Sequence, residues 1–133
     1  MGTFDAIGIA STGLTVHRKW LDAVSDNLAN INNATSTDGA AFQARYVVAT
    51  AMNAGEPAGV QVAGIELGDA EGRVVHEPSH PLADEEGYVR YPEVDMASQM
   101  SQLIMAQRGY QASAAVVDRA RESYQTALQI GKN

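Results

Sequence analysis

The chain contains no cysteine, so neither a disulfide nor a thiolate-held metal contributes to its fold. This leaves the compartment open, because a cytosolic protein and a disulfide-free exported one look alike here. Basic residues are scarce: 9 face 16 acidic ones, for a formal net charge of -7. An acidic surface repels phosphate backbones, so no nucleic-acid partner is expected. No apolar run approaches the ~20 residues of a spanning helix, so no direct membrane span is expected either. The opening Met1-Gly2-Thr3-Phe4-Asp5 lacks a basic start and a continuous apolar stretch, which argues against a cleaved signal peptide. Export, if it occurs, would take another route.

What the chain does have is periodicity at both ends. Ile7, Leu14, Leu21 and Leu28 recur with Ala10, His17, Val24 and Ile31 between them. Leu103, Tyr110, Val117 and Tyr124 alternate with Ala106, Ser113, Ala120 and Ala127, and Met96, Met100, Ala114 and Leu128 widen that second stripe. A seven-residue apolar repeat kept over several turns predicts long helices that bury a seam against other helices. The first is expected to start near Thr3 or Asp5 and to run to about Ile31, where Asn30, Asn32, Asn33 and the following Thr, Ser and Asp residues end it. The second is expected after Pro92, with Asp95 as N-cap, reaching Ile130 before Gly131.

The glycine- and proline-marked middle carries no such stripe. Residues 41–52 alternate, with Phe42, Ala44, Tyr46, Val48 and Met52 expected on one side and Gln43 and Arg45 on the other. Val60–Leu67, Arg73–His76 and Tyr88–Tyr91 also read as strands, with Gly55, Pro57, Gly59, Gly68 and Gly72 as turn markers. The expected organisation is α+β: residues 1–33 an N-terminal helix, 34–92 a small β-rich insertion, and 93–133 a C-terminal helix that pairs with the first in a coiled-coil-like layer.

One helix–helix seam repays little of the conformational entropy of ordering so long a helix. Phe4, Ile9, Val16 and Trp20 fall off that seam and need further cover. Subunit contacts are therefore expected at Ile7, Leu14, Trp20, Leu21, Val24, Leu28 and Ile31, and at Met100, Leu103, Tyr110, Val117, Tyr124 and Leu128, with helices that gain order on assembly. Asn27, Asn30 and Asn32 are expected to satisfy backbone groups where the first helix ends.

No reaction centre is legible. His76 and His80 are four apart, but Pro78 and Pro81 deny them the helical face that metal-ligand spacing needs. Asp84, Glu85 and Glu86 sit in a turn and are expected to point to solvent, whereas acid–base pairs oppose one another in a cleft. His17-Arg18-Lys19-Trp20 is too small a basic cluster for phosphate binding and reads as a polar contact patch. There is no phosphate loop, nucleophile elbow or Cys/His cluster. No catalytic residue, cofactor or metal is expected.

Four segments carry a resemblance. Asp26-Asn27-Leu28-Ala29-Asn30-Ile31-Asn32-Asn33 is similar to the N-terminal signature of bacterial flagellar axial proteins. The run His80-Pro81-Leu82-Ala83-Asp84-Glu85-Glu86-Gly87-Tyr88-Val89, followed by Tyr91-Pro92-Glu93-Val94-Asp95, resembles the lead into the C-terminal helix of the FlgC-type proximal rod proteins. Ala106-Gln107-Arg108-Gly109-Tyr110-Gln111-Ala112 and the ending Ala127-Leu128-Gln129-Ile130-Gly131 resemble that family too. His80, Pro81, Asp84, Gly87, Tyr88, Pro92 and Asp95 are thus motif residues. Glu93, Asp95 and Ser113 stand where the family usually has asparagine.

The resemblance implies a structural subunit of the flagellar rod, the torque-transmitting drive shaft in the periplasm. It implies terminal helices polymerised around a central export channel, and export by the flagellar type III apparatus. The implied partners are copies of the chain (a homo-oligomer), the other proximal rod proteins, the ring-to-rod adapter and the distal rod protein. The alternative is a helical-hairpin binding module, a monomeric adaptor in another secretion or surface assembly.

Overall fold

Two helices enclose four short strands in the order α1 (Thr3–Ala29), β1 (Arg45–Ala51), β2 (Val60–Leu67), β3 (Arg73–His76), β4 (Tyr88–Tyr91) and α2 (Met96–Ile130). The computed structural model describes residues 2–53 and 58–132, apart from the Thr3 side chain. The turn markers Gly55 and Pro57 fall outside the described residues. The α+β class and the pairing of two long terminal helices follow the sequence expectation.

Helix α1 differs at its ends. Gly2, not Thr3 or Asp5, is the N-cap. Asp5 reaches back to accept the Gly2 amide at 3.0 Å, placing its negative charge where the helix dipole favours it. The helix ends at Ala29, two residues before the expected Ile31, with Asn30 as C-cap. The Asn30 Nδ2 donates to the Asp26 carbonyl at 2.8 Å, which also accepts the Asn30 amide at 3.1 Å. Helix α2 begins after Asp95, whose carboxylate accepts the Ser98 amide at 2.8 Å. It therefore fills the capping role with the acid that replaces asparagine.

The strands form two antiparallel ribbons, β1–β2 and β3–β4. In the first, Arg45 faces Leu67 and Ala51 faces Val60, with a bulge between Val48 and Ala49. Tyr46 and Val48 are exposed, while Val47 and Ala49 line a cleft with Val16, His17 and Trp20 of α1. Residues 41–44 precede the strand, so the alternation that begins at Phe42 does not carry through. The cause is tertiary: the ribbon packs on α1, and its docking side is chosen by how the chain enters at Arg45.

The second ribbon pairs Arg73 with Tyr91 and His76 with Tyr88. Thr35 bridges to Arg90 through reciprocal backbone hydrogen bonds of 2.8 and 2.9 Å. Val89 and Pro92 are fully buried here. Asp84 ties the preceding loop. Its Oδ1 accepts from the Tyr88 and Glu86 amides at 2.8 and 3.0 Å, and its Oδ2 from the Thr37 hydroxyl at 2.8 Å. Asp84 is thus a turn-former and not one of three solvent-facing carboxylates. Gly87 follows at φ 83, with Pro78 packed against its α-carbon; that left-handed conformation is costly for a residue bearing Cβ.

The helices pair antiparallel within the chain. Phe4 meets Tyr124 edge-on at 4.9 Å, Gly13 meets Ser113 and His17 meets Gly109, and Asn27 meets Gln99. Helix ends expected to be completed by neighbours are therefore completed in part by each other.

Candidate subunit interface

The seam inside the hairpin is made of small and polar residues. On α1 it follows Ala10, Gly13, His17, Trp20, Val24 and Asn27, a 3-4-3-4-3 progression that keeps one edge of a helix facing its partner. Ala10, Val24 and Asn27 are buried there, opposite buried Gln99 and Ala106. Close approach is possible because two glycines face side chains. A Cβ on Gly13 would lie 2.7 Å from the Ser113 Oγ, and one on Gly109 would enter the His17 ring.

His17 Nδ1 hydrogen-bonds the Gly13 carbonyl at 2.7 Å. As the carbonyl can only accept, Nδ1 carries the proton. Trp20 donates its indole N–H to Gln102 Oε1 at 3.3 Å.

Asn27 is 0% exposed. Its Nδ2 donates to Gln99 Oε1 and to the Arg45 carbonyl, each at 3.0 Å, and its Oδ1 accepts the Arg45 amide at 2.8 Å. It therefore satisfies the start of β1 and not the end of α1, the role expected from sequence. A flanking ion pair, Arg45 to Asp26 at 2.6 Å, is half exposed and adds little by itself. At the far end of the ribbon, Thr12 Oγ1 accepts the Val60 amide at 3.0 Å and donates to the Ile9 carbonyl at 2.6 Å.

The large apolar residues fall elsewhere. Of the proposed contact set, Val24 is buried; Ile7, Leu14, Trp20, Leu21, Leu28, Ile31, Leu103 and Val117 are half-buried. Met100, Tyr110, Tyr124 and Leu128 are exposed, as are Phe4, Met96, Ile104, Met105, Val116 and, at 72%, Ile130. Helical periodicity puts Leu14 and Leu21 roughly opposite Thr12, Val16 and Lys19, which meet the ribbon. Between α1, α2 and the ribbon tip runs an apolar groove of about 710 Å³, walled by Ala6, Ile9, Ala10, Val60, Ala112 and Val116 among others.

Sequence reading missed Gly13, Gly109, Gln99 and Thr12. The available signal was the run of small residues at heptad spacing, Ala106, Ser113 and Ala120, which marks a tight seam as surely as leucines mark a wide one. Motif residues His80, Asp84, Gly87, Tyr88 and Pro92 belong to the β3–β4 module. His80 Nδ1 accepts the Leu82 amide at 3.0 Å, and Pro81 is exposed. Asn32 is exposed as well.

The titration of two groups is moved. The Tyr88 amide first, and then the Thr37 hydroxyl, hold Asp84 below the usual carboxylate range. Tyr91 donates to Glu77 Oε2 at 2.9 Å, which raises its ionisation above that of an ordinary phenol. Among the described residues no group of three or more His, Asp or Glu side chains is arranged to hold a metal, and no helix is long and apolar enough to cross a membrane.

Known proteins resemble this chain in sequence. The family described as flagellar basal body rod FlgEFG protein C-terminal matches residues 85–130. The flagellar basal-body rod protein FlgC of Escherichia coli O6:H1 is 33% identical over 134 residues, covering 99% of this chain and 100% of its own. FlgC of Yersinia enterocolitica is 34% identical over 134 residues, with 99% and 100% covered. FlgC of Borreliella burgdorferi is 30% identical over 149 residues, with 98% of each chain covered. Fold and kinship together define a structural protein of the flagellar basal-body rod, not an enzyme. Within that class the chain belongs to the FlgC family.

Proposed function

We propose that the chain polymerises through its terminal helices as a subunit of the proximal rod, contributing to the torque-transmitting drive shaft and to the wall of the export channel in the periplasm. The observation that carries this reading is the inverted distribution of size. Small and polar residues close most of the seam inside the hairpin, whereas Met100, Ile104, Leu128 and Ile130 are left exposed. A helix of a self-sufficient hairpin turns its largest apolar residues inward, and exposed apolar faces of this extent mark protein contacts.

Charge supports the same surfaces. Between residues 34 and 92 acidic side chains outnumber basic ones nine to three, while Ala6–His17 and Met96–Gln107 carry no Asp, Glu, Lys or Arg. Copies repel through their middles and meet without charge cost through their helices. Ile7, Leu14, Leu21, Leu28 and Ile31 then supply one half-buried edge, and Met100, Leu103, Tyr110, Val117, Tyr124 and Leu128 the other. Torsional stiffness follows, because shear along such a layer must break many contacts together. The proposed partners are further copies, the other proximal rod proteins, the ring-to-rod adapter and the distal rod protein. Delivery is by the flagellar type III apparatus without a cleaved signal. Residues 1–33 and 93–133 form the assembly layer, and 34–92 the outer insertion.

Basal bodies isolated from a strain lacking the chain test this reading. Stubs that stop at the ring support it, and complete rods refute it. Leu14→Asp, at a half-buried edge position, is expected to block incorporation while leaving the β ribbons folded. A monomeric adaptor remains the second reading, favoured by the in-chain seam at His17–Gly109 and Asn27–Gln99. Circular dichroism of dilute protein separates the two: an adaptor is fully helical alone, whereas a rod subunit gains helix on assembly.

A further inference from the structure

We propose that the α1–α2 register is set by two specific contacts, the His17 ring seated on Gly109 and the buried Asn27–Gln99 amide pair, and not by the apolar stripe. The Trp20–Gln102 hydrogen bond and the Phe4–Tyr124 pair are half-exposed or exposed and weigh less, and the small residues of the seam do not discriminate. On α2, Ala106, Ser113 and Ala120 are spaced by heptads, and Ser113 is the one that faces Gly13. Sliding one helix by seven residues, about 10 Å, sets small residues against small residues again. Burial is non-directional and rewards each alignment alike.

The two specific contacts do discriminate. A heptad slip carries His17 from Gly109 to Gln102 or Val116, where no glycine makes room for the ring. The same slip strips Asn27 of Gln99 while it stays held on the Arg45 backbone by two hydrogen bonds. An unpaired amide in a dry seam is strongly disfavoured, and one buried asparagine suffices to fix the alignment of paired helices. Because Asn27 also binds Arg45, the same side chain locks the β1–β2 ribbon to that register.

The register has a consequence for the surface. Phe4 at the start of α1 meets Tyr124, so α2 runs on past its partner, with Leu128 and Ile130 exposed at 50% and 72%. A slip of one heptad would lengthen or bury that overhang. This inference does not depend on polymerisation and holds equally for a single chain.

The absence of cysteine makes the test clean. A Cβ at position 13 would lie 3.5 Å from the Ser113 Cβ, within disulfide range, so Gly13→Cys/Ser113→Cys reports the native register. Gly13→Cys/Ala106→Cys and Gly13→Cys/Ala120→Cys report the two slipped ones. Each pair is placed in the full-length chain in four backgrounds: unaltered, His17→Ala, Asn27→Leu/Gln99→Leu, and all three changes together. Disulfide yield is measured after equilibration in a thiol redox buffer.

In the unaltered background only the native pair should oxidise. Removing both contacts should raise slipped disulfides at least tenfold with helix content retained, and each removal alone should give an intermediate rise. Slipped pairs that stay reduced in every background overturn the proposal. If the combined variant loses its helix, the two partial backgrounds decide: a rise in either supports the proposal, and no rise in both overturns it.

Discussion

Alanine in place of glycine at two helical positions should move stability in opposite directions. Within a helix, alanine is favoured over glycine by ~1 kcal/mol. At Gly8 a Cβ meets nothing within 4 Å, so Gly8→Ala should stabilise by about that amount. At Gly109 the same gain is available, but the Cβ would enter the His17 imidazole, whose Cε1 alone lies 3.0 Å away. Overpacking of this kind costs ~1–3 kcal/mol, and a displaced ring also gives up its hydrogen bond to Gly13, worth ~1 kcal/mol net. The net for Gly109→Ala is a loss of ~1–3 kcal/mol, a difference of ~2–4 kcal/mol between the two variants. Urea unfolding followed by far-ultraviolet circular dichroism measures both, with an unchanged slope showing that the exposed surface on unfolding is the same. His17→Ala in the Gly109→Ala background should recover most of the loss. Equal stabilisation by both alanines would refute the close packing of His17 on Gly109.

Other perturbations follow from single contacts. Asn27→Ala should cost ~2–4 kcal/mol in the same assay, because it leaves Gln99 and the Arg45 amide buried without their partner; a loss below ~0.5 kcal/mol would mean the seam admits water there. Asp95→Ala should cost ~1 kcal/mol through loss of the Ser98 cap, and Asp95→Asn, which keeps an acceptor, should cost less. Asp84 has a folded pKa below its unfolded value, so its contribution is present above the ordinary carboxylate range and is lost as pH falls through the folded pKa. Protection of the Tyr88 amide against hydrogen exchange, taken relative to the intrinsic rate at each pH, should therefore fall in acid in the native chain, and Asp84→Asn should flatten that dependence.

Much was legible from the sequence because it depends on neighbours along the chain. Three of the four strands fall where alternation and turn residues put them, and α2 begins at the acid that caps it. Heptad spacing predicts long helices with an adhesive edge, whatever they pack against. The motif run from His80 to Asp95 could be assigned to a family on residue identity alone.

What closes the hairpin is another matter. Periodicity and side-chain size point to Ile7, Leu14, Trp20, Leu21, Val24, Leu28 and Ile31 as contact residues; the seam inside the hairpin uses Trp20 and Val24 of these, together with Ala10, Gly13, His17 and Asn27. Periodicity defines a face only to within a turn's width, and which edge goes inward depends on how closely the partner can come. Small residues opposite one another permit the closer approach. The docking side of β1 likewise depended on Asn27 gripping Arg45, a contact between residues 18 apart. Local pattern determined the elements and their amphipathic character. Only the folded chain decided which edge was spent inside it and which was left for a neighbour, since that choice rests on steric fit and hydrogen-bond satisfaction between segments remote in sequence.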